Sequence, residues 1–147
     1  MATMELLKEG ASRLGLILGP RQLAAFETYY RELSLWNQRF NLTAISGYED
    51  VQCKHLLDSL SCILAFPQHE RVQGIPDTVP LQRPAQPLLV IDVGSGAGFP
   101  GLPIKIMLPD IRMTLLEATA KKVMFLRHMI EELGLPGGGV GGERPVA

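Results

Sequence analysis

The chain has 147 residues, of which 46% are hydrophobic and 20% charged, and its formal net charge is −1. This composition is typical of a globular domain with a core, and it excludes both a disordered chain and a protein that attracts nucleic acid through a large overall positive charge. No secretory signal is visible at the N-terminus, and no apolar run reaches the roughly 18 residues of a membrane span. We therefore expect a cytoplasmic protein that does not enter a membrane.

Three helices are predicted in the N-terminal part, which we interpret as a helical cap over residues 1–66. The first covers residues 4–18, and the second begins at Pro20, where proline suits a first helical turn, and runs to about residue 38. Ser46 and Glu49 have the spacing of a capping box, so they predict the start of a third helix, which proline ends at position 67. The core candidates recur at helical spacing: Leu7, Ala11, Leu14 and Leu18; Leu23, Phe26, Tyr30, Leu33 and Asn37; Leu56, Leu57, Leu60, Ile63 and Leu64. Cys53 and Cys62 lack metal-ligand spacing and are interpreted as reduced core thiols, and no metal site is predicted.

A parallel α/β unit is predicted in the second half, after a proline-rich connector over residues 67–87. Within residues 88–135 the predicted order is strand 88–93, a glycine-rich turn, helix 101–108, strand 112–117 and helix 119–134. Residues 136–147 form a tail rich in glycine and proline, where we place no strand. Two parallel strands cannot cover both faces of their sheet, so the unit is expected to be the front part of a longer domain.

An acidic residue lies at the end of each predicted strand. Asp92 ends the first strand, directly before a turn that contains Gly96, Gly98 and Gly101, and Glu117 ends the second. This arrangement predicts a pocket for an adenosine-type cofactor. Asp92 would repel a pyrophosphate and Pro100 removes an amide donor, so both favour S-adenosylmethionine over NAD.

Some of these features remain open to a second interpretation. Glu117 suits the ribose of either cofactor, and it is equally typical of a solvated acid at a strand end. The glycine pattern on its own is a weak signal, because a strand-to-helix turn that binds no ligand shows it too.

Four ordered motifs resemble one known family. Residues 91–101 (IDVGSGAGFPG) look like motif I of class I methyltransferases, and the continuation to residue 103 narrows the match. Three further segments agree: residues 36–43 (WNQRFNLT), residues 54–59 (KHLLDS) and residues 115–126, which begin with LLE and end with KKVMFL. The chain resembles the bacterial 16S rRNA (guanine-N7) methyltransferase G family, also called glucose-inhibited division protein B.

The resemblance implies a Rossmann-like class I methyltransferase fold with an N-terminal helical cap. It implies S-adenosylmethionine as methyl donor, N7 of a guanine in small-subunit (16S) rRNA as acceptor, and a monomer that acts on the small ribosomal subunit. Gly94 and Phe99 match family positions that contact the cofactor. Asp92, Gly96, Gly98 and Glu117 match the general methyltransferase pattern. Family members continue with further strands where this sequence has its tail, so we expect a C-terminally truncated chain that is inactive.

The substrate side of the predicted site rests on three residues. His55 and Asp58 are three apart on one helix, which suits a hydrogen-bonded pair that docks the cap or two groups that line the pocket. Lys121 belongs to a basic stretch that is either a solvated face or a phosphate contact. No catalytic base is predicted, because guanine N7 carries a lone pair and no proton. Two other readings stay open: a fragment of an NAD-type Rossmann oxidoreductase, and a non-catalytic module that binds cofactor.

Overall fold

The N-terminal part of the chain is helical, as predicted. The computed structural model describes residues 4–66, 87–135 and 139–141. Helix α1 spans Glu5–Arg13 and helix α2 spans Pro20–Phe40. A third helical segment, α3, covers residues 48–65 and changes pitch along its length, with a π-helical part over Val51–Leu57 and a 3₁₀ turn over Cys62–Ala65. Pro20 occupies the first turn of α2, which confirms the predicted start of that helix.

One predicted helix end and one predicted helix cap are wrong. Helix α1 ends at Arg13, well before residue 18, because Gly15 adopts the left-handed conformation at φ +81° and the Leu16 N–H turns back to the Ala11 carbonyl at 2.8 Å. The capping box does not form, since α3 begins after Gly47 without any side-chain cap. The first residue of α3, Tyr48, instead places its hydroxyl between the backbone N–H of Met4 and the carboxylate of Glu27.

Helix α1 docks onto α3 through its otherwise unpaired N-terminal amides. The Met4 N–H donates to the Tyr48 hydroxyl at 2.9 Å, and the Leu7 N–H donates to Oε1 of the buried Gln52 at 3.1 Å. The first amides of a helix have no partner within it, so acceptors from a neighbouring helix fix how the two pack. The cap thereby becomes one packed unit.

The second half of the chain forms a small parallel sheet. Strand β1 spans Leu89–Val93, helix α4 spans Gly101–Met107, strand β2 spans Arg112–Leu116 and helix α5 spans Ala120–Glu132. A third strand, β3 (Gly139–Gly141), lies beside β2, and all pairings are parallel in the order β1-β2-β3. The alternation of strands and helices is confirmed.

The prediction of a tail without any strand is wrong at β3. Glycine has low strand propensity, so the glycine-rich composition of the tail does not indicate a strand. Pairing with residues 114–116 supplies the partners that local sequence does not indicate. Residues 67–86 of the predicted connector (67–87) lie outside the described residues, as do residues 136–138 and 142–147 of the tail.

The two faces of the sheet differ sharply in burial. Met113 and Leu115 on β2 are almost fully buried on the side that carries α4. Alternate residues of β1 point the other way, and the side chains of Leu89, Ile91 and Val93 are 72%, 58% and 71% exposed. One face of the sheet therefore holds the core, whereas the other leaves large aliphatic side chains in water.

This difference predicts unequal responses to truncation of neighbouring side chains. We expect Leu115→Ala to lower the free energy of unfolding by about 2–4 kcal/mol, because it removes buried methyl groups and leaves a cavity. Ile91→Ala should cost less than about 1 kcal/mol, because Ile91 already faces solvent. Urea unfolding of both variants measures the difference, and equal losses would show that the outer face of β1 is covered in solution.

Cys53 and Cys62 are free thiols, but the prediction that they belong to the core is wrong. Both are exposed, since they lie on the outer side of α3 whereas Leu56, Leu60 and Ile63 point inward. Within the described ranges, no helix combines the length and apolar character needed to cross a membrane.

Candidate cofactor site

The two strand-end acids lie at the carboxyl ends of adjacent parallel strands. Asp92 pairs with Leu115 in the register of β1 and β2, and Glu117 follows the last residue of β2. Glu117 Oε1 accepts a hydrogen bond from the Gly96 N–H at 2.9 Å, so the second strand end is tied directly to the glycine turn after the first. Both carboxylates therefore belong to one structural unit built around that turn.

Asp92 is a half-buried carboxylate without a cationic partner in the described part of the chain. Its Oδ2 accepts a hydrogen bond from the Gly101 N–H at 3.0 Å. Burial raises the pKa of Asp92, and the negative charge of Glu117 raises it further, although the Gly101 N–H and the Ser95 hydroxyl act in the opposite direction. A bound cation would compensate the ionised form, so this position suits a positively charged ligand.

Glu117 is held in its ionised form. Burial alone would raise the pKa of Glu117, but the N–H groups of Thr119 and Gly96 and the charge of Lys122 outweigh burial, so its pKa lies below the ordinary value. Oε2 accepts from the Thr119 N–H at 2.9 Å while Oε1 accepts from Gly96. Each carboxylate oxygen can accept a second hydrogen bond, so Glu117 retains acceptor capacity for ligand hydroxyl groups.

The glycines of the turn divide into two kinds. A Cβ at Gly98 would collide with the Tyr29 hydroxyl and with Leu102, and a Cβ at Gly101 would collide with Leu115 and lie 2.8 Å from Asp92 Oδ2. At Gly94 and Gly96, in contrast, an added Cβ would have no atom of the described residues within 4 Å apart from its chain neighbours. The first kind lets the turn pack against the protein, whereas the second kind leaves open space beside the strand end.

Most amides of the turn already donate within the protein. Those of Gly94 and Ser95 bond the Leu116 carbonyl, those of Gly98 and Phe99 bond the Ser95 carbonyl, and that of Leu102 bonds the Gly98 carbonyl. Gly96 and Gly101 donate to the two acids, and Pro100 has no N–H. An anion at a glycine turn is normally bound by free backbone N–H groups. The turn is therefore poorly suited to a pyrophosphate.

The phenyl ring of Phe99 lies between two rings of the cap. Tyr29 stacks on one side with a centroid distance of 5.2 Å, and His55 stacks on the other at 4.3 Å. Tyr29, which was not among the predicted site residues, is fully buried, and its hydroxyl donates to the Ala97 carbonyl at 2.5 Å. Its spacing from Phe26 and Leu33 would have identified it as a residue on the buried face of α2.

His55 bonds Thr43 and makes no hydrogen bond or ion pair with Asp58 in the described part of the chain. His55 Nε2 lies 2.8 Å from Thr43 Oγ1. Partial burial lowers the pKa of His55, although the charge of Asp58 acts in the opposite direction. The imidazole is therefore favoured in its neutral form.

The lowered pKa of His55 predicts a pH-dependent contribution to stability. A base with a folded pKa below its ordinary value of 6.5 stabilises the fold above that value and loses this contribution as the pH falls through the folded pKa. Relative to His55→Phe, the wild-type chain should therefore lose unfolding free energy between about pH 8 and about pH 5. His69 and His128 are present in both proteins, so they do not contribute to the difference between the two stability curves. Parallel pH curves would contradict the assignment.

The third predicted substrate residue, Lys121, lies where α2 meets α5. Its Nζ is 5.9 Å from the ring centroid of Phe40, and the guanidinium carbon of Arg39 is 5.3 Å from the same centroid. Asp58 is exposed on α3. Among the described residues, no group of three or more His, Cys, Asp or Glu side chains could hold a metal ion.

One protein-family model matches most of the chain. The family model described as GidB, rRNA small subunit methyltransferase G, matches residues 22–137, which contain both strand-end acids, the glycine turn and most of the cap. The chain belongs to the rRNA small subunit methyltransferase G family. The resemblance recognised from its motifs is thereby confirmed, and so is the mixed fold with a parallel sheet and an N-terminal helical region.

Several curated relatives carry the name ribosomal RNA small subunit methyltransferase G. The one from Dehalococcoides mccartyi is 50% identical over 134 residues, which are 91% of this chain and 50% of the relative. The relative from Roseiflexus sp. is 43% identical over 90% of this chain and 49% of its own length, and that from Pelotomaculum thermopropionicum is 40% identical over 89% and 48%. The chain spans about half the length of these curated relatives.

Proposed function

We propose that the site binds S-adenosylmethionine and that its reaction is methyl transfer to N7 of a guanine in small-subunit (16S) rRNA. One observation carries the proposal: Asp92 and Glu117 flank a glycine turn whose amides are used internally, next to open space at Gly94 and Gly96. The shared name of the relatives, ribosomal RNA small subunit methyltransferase G, supports the class of substrate.

The residues at the turn suit the chemistry of this cofactor. S-adenosylmethionine carries a sulfonium and an ammonium group, and Asp92 offers a carboxylate that needs positive charge. Glu117 keeps free lone pairs for the ribose hydroxyls, while Gly94 and Gly96 allow the backbone to approach the ligand closely. Phe99 would contact the cofactor from the rim of the turn.

The alternative of an NAD-type oxidoreductase is less favourable at this site. NAD brings a pyrophosphate to a glycine turn, where backbone N–H groups bind it. Here the turn offers two carboxylates, and its amides already have acceptors. Repulsion by Asp92 would weaken binding of the pyrophosphate, whereas Glu117 suits the ribose of either cofactor.

Transfer to guanine N7 requires positioning more than acid–base catalysis. S-adenosylmethionine, when bound, would supply an electrophilic methyl group, and guanine N7 has a lone pair that needs no deprotonation. The contribution of the protein is then to hold both reactants in line and to exclude water, which supplies several kcal/mol. This agrees with a site whose ionisable groups bind and orient.

The RNA side of the proposal uses His55, Asp58 and Lys121. Lys121 and Arg39 converge on the Phe40 ring, and neither has a carboxylate within 4 Å among the described residues, so both cations are available to RNA phosphates. His55 and Asp58 would border the entry for the target base. We propose a cytoplasmic monomer that meets its substrate as naked 16S rRNA or within the small subunit.

Calorimetric titration of this chain with S-adenosylmethionine and, separately, with NAD tests the cofactor. We expect S-adenosylmethionine to bind more tightly by at least about tenfold, because only its charge complements the two acids. Tighter binding of NAD would overturn the proposal in favour of an oxidoreductase.

A methyl-transfer assay tests the reaction. The chain is incubated with radiolabelled S-adenosylmethionine and small ribosomal subunits, and N7-methylguanine is measured after digestion of the RNA. Incorporation above a control without enzyme supports catalysis by this chain. Binding of S-adenosylmethionine without incorporation of label supports the alternative of a non-catalytic module that binds cofactor.

A further inference from the structure

Three stacked aromatic rings connect the helical cap to the glycine turn. The rings of His55 and Phe99 are nearly parallel, with an interplanar angle of 6°, and those of Phe99 and Tyr29 make an angle of 14°. Tyr29 belongs to α2, His55 to α3 and Phe99 to the turn after β1. A side chain of the turn is thus held on both faces by two different helices of the cap.

The Tyr29 side of this stack is fixed by burial and by a hydrogen bond. Tyr29 is fully buried, and its hydroxyl donates to the carbonyl of Ala97, two residues before Phe99. Leu102 and the Tyr29 hydroxyl fill the space where a side chain at Gly98 would lie. The ring of Tyr29, against which Phe99 stacks, is therefore held in place.

The His55 side is fixed by a loop of its own. Thr43 Oγ1 accepts the Ile45 N–H at 3.1 Å and lies 2.8 Å from His55 Nε2, while the Thr43 N–H donates to Asn37 Oδ1 at 2.9 Å. Because the Thr43 oxygen already accepts a hydrogen bond, its O–H is available to donate to Nε2 of a neutral imidazole. This anchor sets the plane of the imidazole, which in turn limits tilting of Phe99.

We propose that His55 is a positioning residue that acts through Phe99 to hold the cofactor-contacting face of the turn in its binding geometry. The inference rests on the proposed function, since it assumes that the turn binds S-adenosylmethionine. A contact that is ordered before binding costs less entropy when the ligand arrives, so fixing Phe99 raises affinity. A flat ring at position 55 is the property that matters, whereas the charge of an imidazole is not needed.

The test compares S-adenosylmethionine affinities of single variants by calorimetry at neutral pH. His55→Ala should weaken binding by about three- to tenfold, the value of one aromatic contact. His55→Phe keeps a ring against Phe99 but loses the hydrogen bond to Thr43, so its affinity should lie between those of His55→Ala and wild type. Lys54→Ala is the matched control on the same helix, because within the described residues its exposed side chain forms an ion pair only with Asp50, at 3.4 Å, and the variant should bind as wild type does.

A second comparison separates positioning from general support of the fold. In a Phe99→Ala background, His55→Ala should have no further effect on affinity, because its route to the cofactor is gone. Melting temperatures of all variants show whether they remain folded at the temperature of titration. Any of three results would overturn the inference. The first is equal affinity of wild type and His55→Ala, and the second is an additive effect of His55→Ala in the Phe99→Ala background. The third is failure of His55→Phe to rescue binding. If the wild-type chain binds no S-adenosylmethionine, the proposed function itself fails and the inference fails with it.

Discussion

Gly98→Ala should lower the free energy of unfolding by about 3–5 kcal/mol. Two costs add at this position. Gly98 has φ +101°, where an L-residue is strained, and its new Cβ would collide with Leu102 and with the hydroxyl of Tyr29. The hydroxyl cannot move away without losing its hydrogen bond to Ala97 in a buried environment. Chemical unfolding measured by circular dichroism gives the loss.

Gly47→Ala is the matched control for this substitution. Gly47 precedes α3 with φ −70°, and the nearest atom to an added Cβ, Asp50 Oδ2, lies at 3.9 Å. The same change of one methyl group should therefore cost less than about 1 kcal/mol. If the two variants lose similar stability, the turn is not packed against Tyr29 as described.

Glu117→Gln should weaken binding of S-adenosylmethionine by about 10- to 100-fold and also destabilise the fold by about 1–3 kcal/mol. A glutamine amide has one acceptor oxygen, so one of the N–H groups of Gly96 and Thr119 would face an NH₂ donor. The loss of charge also weakens the acceptor offered to ribose hydroxyls. Calorimetry and urea unfolding measure the two effects.

The exposed Glu132, near the end of α5, provides the control. Glu132→Gln removes the same charge far from the turn and should leave both quantities unchanged within error. The pKa of Glu117 lies below its ordinary value of 4.5, so its stabilisation is present above that pH and is lost as the pH falls through the folded pKa. Relative to wild type, the Glu117→Gln protein should therefore show a flatter stability curve in this acidic range. Unchanged affinity in Glu117→Gln would remove Glu117 from the cofactor site.

In the helical cap, apolar spacing predicted the helices better than single residues predicted their ends. Apolar spacing predicted three helices, and all three are present. Single-residue boundary signals were weaker, because Gly15 ends α1 where the apolar pattern continues, and α3 begins after Gly47 without the side-chain cap that Ser46 and Glu49 predicted. Burial of Cys53 and Cys62 was misjudged for a related reason: an apolar composition does not say which side of a helix faces inward.

The sequence by itself determined the α/β order, the glycine turn and the presence of an acid at each strand end, because these depend on short runs of neighbouring residues. Its motifs were also sufficient to recognise the family. None of this required knowledge of contacts between distant segments.

Only the tertiary structure decided which groups satisfy one another. The bond from Gly96 to Glu117, the enclosure of Phe99 by Tyr29 and His55, and the pairing of β3 with β2 all join residues that are far apart in the chain. Their partners are selected by packing and by the requirement that buried polar groups find acceptors or donors, and periodicity along one segment carries no information about that choice.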